Sequence, residues 1–153
     1  YMVHTVPVDT RSSVNLVTLE VYEKIGLKKN DLTKFMFPLV GLGDKTMPIA
    51  GATNLMTTLG DETFKWSICT EFIIVNIPLS YNVILGRLIL NGNNILINMD
   101  CLCMKLLALG GLTIVRGSQK LAQECYKQYT KAVVNVTILI NLLKRQKVTF
   151  LWR

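Results

Sequence analysis

The sequence predicts one small domain that is mostly β, with one or two short helices. Two observations support this fold class. The chain has 153 residues, of which 50% are apolar and 18% charged, so it is long and apolar enough to fold around its own core without a metal or disulfides. Its apolar residues occur mainly in short β-like runs separated by glycine-containing turns, which favours strands over long helices.

The N-terminal segment predicts a strand, a polar turn and a short helix. Val3–Val8 forms the strand, although Pro7 lacks the amide that a central position of a β-ladder would need. The polar residues 9–13 follow as a turn. From Val17 to Lys24 apolar side chains recur at helical spacing, and Gly26 is placed to end that helix in a left-handed conformation.

The middle of the chain predicts two β-hairpins. The apolar runs Phe35–Leu42 and Met47–Thr53 are separated by a short polar segment, which is typical of a hairpin with a small mobile tip. Asn54–Leu59 and Thr63–Asn76 form the second hairpin around another glycine-containing turn.

The C-terminal part of the body predicts a short strand, a helical turn and a third hairpin. Val83–Leu85 is the strand, and the turn begins at Arg87. Ile95–Leu109 and Leu112–Val115, joined by two glycines, supply the hairpin. Ser118 then opens a helix that is expected to run to Tyr129.

The net charge of +7 is confined to the C-terminal end of the chain. Residues 1–115 carry nine basic and nine acidic side chains, whereas residues 116–153 carry eight basic side chains and Glu124 alone. A basic segment can contact phosphates, but this one has no aromatic residues interleaved with the basic ones and no known nucleic-acid motif. We therefore expect a neutral body with a basic, solvated tail that binds nucleic acid only weakly.

Cysteine and histidine usage argues against a metal site or a Cys/His catalytic pair. No Cys-x-x-Cys pair is present and His4 is the single histidine. The chain opens at Tyr1 without a recognisable signal peptide, and its longest apolar run, Ala132–Leu143, is too short to cross a bilayer of ~30 Å. We expect an intracellular, cytoplasmic protein with reduced thiols, no membrane segment, no cofactor and no metal.

The most informative motif is the turn Val8–Ser13, taken together with the later segment Tyr81–Arg87. An Asp-Thr pair in a turn is weak evidence on its own, because both residues favour turns through local hydrogen bonds. The later segment adds an apolar strand that ends at Ile84-Leu85-Gly86, 75 positions after Asp9 (84 − 9). This arrangement resembles that of retropepsin-like aspartic proteases.

The resemblance extends to four separated blocks that occur in the family's order. Val8–Leu27, Pro38–Pro48, Phe72–Arg87 and Val115–Tyr126 are all similar to the protease region of plant gypsy-type retrotransposon polyproteins. The similarity covers roughly residues 3–126, with interruptions. It implies a closed, retropepsin-like β-barrel or sandwich with a flap hairpin.

The resemblance also implies a role for each site residue. Asp9 would be the catalytic aspartate, and Thr10 would brace its loop across a dimer interface. Each chain supplies one aspartate, so the active form would be a homodimer that acts on a peptide or polyprotein. The flap over that peptide would contain Gly41, Leu42 and Gly43, and the segment packed behind the active loop would be Ile84, Leu85 and Gly86.

Two features depart from the family's pattern. Arg11, followed by Ser12 in the active loop, stands where the family has glycine, which has no Cβ and tolerates unusual backbone angles. The arginine also places a fixed cation beside the two aspartates, which works against the proton that they share. Only Tyr1–Val8 precede the loop, whereas the family usually has a further strand upstream.

Three functions remain open at this point. The first is an aspartic endopeptidase domain of residues 1–126, with reduced or lost activity because of Arg11. The second is a remnant of that domain that dimerises or binds peptides without cleaving them. The third, a nucleic-acid-binding fragment, depends on the basic tail of residues 127–153 alone.

Overall fold

The computed structural model describes residues 3, 5–40, 46–60, 64–77, 81–108, 110–124 and 150–152. Two short helices, α1 and α2, span Leu19–Lys24 and Arg87–Asn91, and a third, α3, covers residues 119–124. Lys29–Asp31 forms a 3-10 turn. The strands are β1 (Val6–Val8), β2 (Leu16–Thr18), β3 (Leu39–Val40), β4 (Thr46–Met47), β5 (Ile49–Gly60), β6 (Lys65–Val75), β7 (Val83–Ile84), β8 (Leu96–Asn98), β9 (Cys103–Ala108), β10 (Gly111–Arg116) and β11 (Phe150–Trp152).

The largest sheet has the order β5-β6-β2-β7. β5 and β6 form a long antiparallel hairpin, whose register runs from Gly60 opposite Lys65 to Ile49 opposite Val75. β2 lies parallel to β6 and antiparallel to β7. A second sheet joins β8, β9 and β10 in antiparallel order, and β3 pairs with β4.

The core is centred on the C-terminal half of β6. Phe72 and Ile74 belong to the larger cluster of buried apolar residues, whereas Ile73 and Val75 belong to a smaller one. Because neighbouring residues of a strand point to opposite faces, β6 is buried on both faces of its sheet. This double burial explains why the sequence there is continuously apolar instead of alternating.

The prediction of a mostly β fold with short helices is confirmed. Three predicted hairpins are present as β3–β4, β5–β6 and β9–β10. Gly26 follows α1 with φ +88°, as expected for a left-handed helix end. The predicted helical turn after Gly86 is present as α2, Arg87–Asn91.

Several element boundaries differ from the prediction. β5 is one continuous strand, Ile49–Gly60, across the predicted break between Thr53 and Asn54. The expected helix from Val17 begins only at Leu19, because Leu16–Thr18 is hydrogen-bonded between β6 and β7 as β2. The expected long strand Ile95–Leu109 is divided into β8 and β9 by a turn, in which Leu102 adopts a φ of +46°.

A closed barrel is not formed by the described strands, which are arranged in four separate sheets. The backbone pairing of β1 towards the largest sheet is one isolated bridge, from Val8 to Leu85, which follows β7. β3 and β4 pair only with each other within the described residues. The expected barrel is therefore open, because these strands do not continue the hydrogen bonding of the larger sheets.

The basic tail contributes one strand to the described fold. β11 lies antiparallel to β1, with Trp152 opposite Val6 and Phe150 opposite Val8. The predicted helix end at Tyr129 and the apolar run Ala132–Leu143 lie outside the described residues. The boundary at residue 126 stays a prediction. None of the helices in the described ranges is long and apolar enough to span a membrane.

Candidate active site

The candidate site is the loop of residues 9–15, which joins β1 to β2 and packs against residues 85–87. The amide of Asp9 donates to the carbonyl of Leu85 at 2.9 Å, and the amide of Leu85 donates to the carbonyl of Pro7 at 3.0 Å. Further along the loop, the amide of Arg87 donates to the carbonyl of Ser12 at 2.9 Å. The structure therefore brings the two sequence motifs together through backbone hydrogen bonds.

Pro7 is compatible with β1 because of the direction of these bonds. The carbonyl of Pro7 and the amide of Asp9 are the groups that bond to Leu85, so the missing amide of Pro7 is not used in this contact. Neighbouring residues of a strand direct their backbone groups to opposite sides, and those of Val6 and Val8 therefore face β11. β1 therefore tolerates Pro7 although the strand lies between two hydrogen-bonding partners, β11 and Leu85.

The carboxylate of Asp9 is held by its own loop. The backbone amide of Arg11 donates to Oδ1 of Asp9 at 2.8 Å, and the amide of Ser12 donates to the carbonyl of Asp9 at 3.2 Å. This is the local side-chain-to-backbone bonding that Asp favours in turns. Asp9 is half-buried, whereas Thr10 and Arg11 are exposed. The side chains at the tip of the loop thus face solvent on this single chain.

Arg11 occupies the loop without a positive φ. Among the described residues other than glycine, a positive φ occurs only at Asn94 and Leu102. The backbone at Arg11 therefore lies outside the left-handed region that favours glycine. Compared with glycine, Arg11 adds an exposed cationic side chain close to Asp9 in the sequence.

Ser12 bridges the middle of the loop. Its hydroxyl donates to the carbonyl of Val14 at 2.7 Å and accepts from the amide of the same residue at 3.4 Å. This pair of bonds closes a small turn just before β2. Ser12 therefore acts within the chain as a loop-shaping residue.

The residues expected behind the loop are placed there. Ile84 lies in β7 opposite Leu16, and Leu85 is buried in the larger apolar cluster. A Cβ on Gly86 would lie 2.1 Å from the carbonyl oxygen of Val14 and 3.0 Å from that of Ser12. Because both contacts are with backbone, no side chain fits at this position.

The expected flap residues Gly41, Leu42 and Gly43 lie outside the described residues. The strands on either side of them are described: Leu39 pairs with Met47, and Val40 pairs with Thr46. The role of the three residues stays a prediction. In the described ranges, no group of three or more His, Cys, Asp or Glu side chains is arranged to hold a metal ion.

Sequence reasoning missed Asn15, which lies at the end of the loop and is fully buried. Its side chain contacts Gly86, Thr70 and Glu71. The available signal was a single polar residue between Val14 and Leu16, directly after the active-loop motif. An asparagine near a turn is common enough to conceal that signal.

Comparison with known proteins agrees with this architecture at the level of the fold. No protein-family model and no curated protein matches the chain. A solved structure that matches is the crystal structure of the retroviral protease-like domain of Ddi1 from Leishmania major. It has a TM-score of 0.51 and 17% identity, and the match covers 72% of this chain and 82% of that chain. At this identity the similarity concerns the fold alone, and the chain has a retropepsin-like β fold.

Proposed function

We propose that the chain is one subunit of a homodimeric aspartic endopeptidase, in which two Asp9 carboxylates activate a water molecule for peptide hydrolysis. The observation that carries the proposal is the 2.8 Å bond from the amide of Arg11 to Oδ1 of Asp9, on a loop fixed by residues 85–87. A catalytic carboxylate must be oriented, and this loop orients it with backbone groups that need no particular side chain.

The chemistry requires two chains because each supplies one Asp9. Two carboxylates that approach closely cannot both be ionised, so the pair shares one proton. The ionised member takes a proton from water, and the protonated member donates to the oxygen of the scissile carbonyl. Thr10 is exposed beside Asp9, where we propose that it contacts the second chain, and Gly41–Gly43 would cover the peptide.

Arg11 is expected to weaken this activity. Its exposed guanidinium is two residues from Asp9, and dimerisation would bring two such cations close to the shared proton. A nearby cation favours the ionised form of both carboxylates, which removes the acid that the mechanism needs. We therefore expect little or no cleavage by the unmodified chain.

The test compares four proteins on an unstructured peptide at acid pH and at concentrations that favour dimers. The variants are Arg11→Gly, Arg11→Gln and the double variant Arg11→Gly with Asp9→Asn. Arg11→Gln removes the charge and keeps a Cβ, so it separates the effect of the cation from that of the side-chain bulk. Activity should appear in Arg11→Gly and disappear in the double variant. Cleavage that survives Asp9→Asn would overturn the assignment.

The second candidate is a remnant that dimerises or binds peptides without cleaving them. The exposed Arg11 beside Asp9 favours it, because a neighbouring cation and anion suit the binding of a polar peptide better than proton sharing. Peptide binding in calorimetry, with no product from either the unmodified chain or Arg11→Gly, would identify this function.

The proposed origin is the protease segment of a retrotransposon polyprotein, and the proposed domain is residues 1–126 with a basic tail. The four sequence blocks in the family's order support the origin. We further propose that the protein acts inside the cell, where Cys69, Cys101 and Cys103, which are free thiols in the structure, would stay reduced.

A further inference from the structure

We propose that Asn15 is the positioning residue of the loop that carries Asp9, and that it acts by holding Gly86. The inference concerns a residue that neither sequence motif includes. It rests on the proposed function of Asp9, but the contact itself is a property of the fold and is measured separately.

The side chain of Asn15 uses both of its ends in hydrogen bonds. Oδ1 accepts from the amide of Gly86 at 2.9 Å. Nδ2 donates to the carbonyl of Glu71 at 2.9 Å and to the hydroxyl of Thr70 at 3.3 Å. With no exposed surface and its own carbonyl accepting from the amide of Ile73 at 2.9 Å, Asn15 fixes the start of β2 to β6 and to the segment before α2.

Gly86 links this junction to the catalytic loop. Its two chain neighbours make the contacts that fix the loop: Leu85 bonds to the amide of Asp9, and Arg87 bonds to the carbonyl of Ser12. The backbone of Gly86 has no room to move towards the loop, because it already lies against Val14. A displacement of Gly86 must therefore disturb the hydrogen bonds of Leu85 and Arg87. The bond of Leu85 transmits the displacement to Asp9.

An amide side chain satisfies both hydrogen-bonding groups at this junction, the amide of Gly86 and the carbonyl of Glu71. Asn offers an acceptor to Gly86 and a donor to Glu71 at the same time. Alanine leaves the buried amide of Gly86 and the carbonyl of Glu71 without this partner, and each unmet buried group is costly. An ionised carboxylate accepts from Gly86 but has no proton for the carbonyl of Glu71, whereas a protonated one has.

This difference makes Asn15→Asp a variant whose hydrogen bonding depends on the pH. Burial favours the neutral form of a carboxyl group, and the neutral form can donate to Glu71 as the amide does. The side chain of Glu71 and that of Arg87 are both exposed, so the charged groups nearest to these partners remain in water. The bond to the carbonyl of Glu71 should therefore be present at acid pH and lost when the pH rises, whereas an acceptor for the amide of Gly86 is present in both states.

The test measures amide hydrogen exchange in the full chain by NMR, as protection factors that remove the intrinsic pH dependence. In Asn15→Ala, the amides of Gly86, Asp9 and Arg87 should lose protection by about tenfold, the factor that corresponds to one net hydrogen bond. Amides in the β9–β10 ladder should change by a much smaller factor. Thr70→Val is the matched control, because it removes the longest of the three side-chain bonds and leaves the one to Gly86.

Each outcome decides the proposal. Equal loss of protection at Gly86 and in β9–β10 would assign Asn15 a merely structural role and overturn the inference. If Asn15→Ala does not fold, Asn15→Asp replaces it. The amide of Ile73, which donates to the carbonyl of residue 15, should lose protection between about pH 4 and about pH 8 as the bond to Glu71 is lost, whereas Gly86 keeps its acceptor and should stay protected. A loss of protection at Gly86 over this range that equals the loss at Ile73 would overturn the inference as well.

An activity measurement separates this inference from the proposed function. In the Arg11→Gly background, adding Asn15→Ala should lower kcat about tenfold or more and leave KM within about twofold, because the loop orients Asp9 and not the peptide. Unchanged kcat in an active background would overturn the role of Asn15 alone. Absence of cleavage in every variant would overturn the proposed function, and the exchange experiment would still decide the contact with Gly86.

Discussion

Gly86 and Val14 are in such close contact that a Cβ on residue 86 would lie 2.1 Å from the carbonyl oxygen of Val14. Both partners are backbone, so neither can move aside without moving β2 or α2. Gly86→Ala is therefore expected to lower the free energy of unfolding by roughly 3 kcal/mol, the upper end of what overpacking usually costs. Urea unfolding followed by circular dichroism measures the change.

Gly26 provides the control for that substitution. It has a φ of +88° and nothing within 4 Å of the position of a Cβ, so an alanine there meets backbone strain without a collision. Gly26→Ala should cost about 1 kcal/mol. Equal costs at the two glycines would show that the contact with Val14 relaxes freely.

Ser12→Ala removes a hydroxyl that bonds twice to Val14. We expect a loss of about 1 kcal/mol in the free energy of unfolding, as for one net hydrogen bond in a half-buried turn. Ser13→Ala is the neighbouring control, because Ser13 is exposed. The two melting temperatures should differ, with Ser12→Ala the lower. A lower value for Ser13→Ala would contradict the assigned bonds.

Glu20 and Lys24 form an exposed ion pair of 2.5 Å on α1. The hydrogen bond from Lys24, and then its charge, lower the pKa of Glu20. A carboxyl whose pKa is lower in the folded state stabilises the fold above its unfolded pKa, and this contribution is lost as the pH falls through the folded pKa. In an NMR titration, Lys24→Met should raise the pKa of Glu20, and high salt should reduce the difference. Identical titration curves would contradict the pair.

Ending the chain at Tyr126 should expose β1 and remove most of the charge. Without β11, the amides of Val6 and Val8 should exchange faster, and elution from heparin should occur at lower salt. The β signal in circular dichroism should be retained if the domain ends at residue 126. A collapse of that signal would show that the tail is integral. The basic residues removed, with no acidic ones, are Lys127, Lys131, Lys144, Arg145, Lys147 and Arg153.

A full-length control separates the strand from the charge. Replacing Lys144, Arg145 and Lys147 by glutamine keeps β11 and removes three cations. This variant should elute from heparin at lower salt and keep the protection of Val6 and Val8. Loss of that protection would indicate that the cations, and not strand pairing, influence β1.

The strands that the sequence predicts well are those whose pattern is set by local turns. β5 and β6 lie on either side of a glycine-containing segment of the sequence, and so do β9 and β10. β2 was missed because Val17 and Val21 share helical spacing across a boundary that only the partners of β2 define. β11 was missed because its pairing with β1 spans nearly the whole chain, and no local pattern encodes such a contact.

The candidate site shows the same division. Asp9 and the Ile84–Gly86 segment could be predicted to meet, because a family resemblance supplied the long-range contact. Asn15 could not, since its burial depends on β6 and on the backbone of Gly86.

The bond between Asn15 and Gly86 joins residues 71 positions apart in the chain, and this separation has a consequence for folding. The loop of Asp9 is synthesised first but gains its fixed shape only when β6 and β7 have been made and have closed around β2. Closing loops of this length costs entropy before any contact repays it, so contacts of this kind slow folding. On the ribosome, the apolar strand β2 is without its partners until β6 and β7 have been synthesised, which leaves this segment exposed to aggregation in the nascent chain.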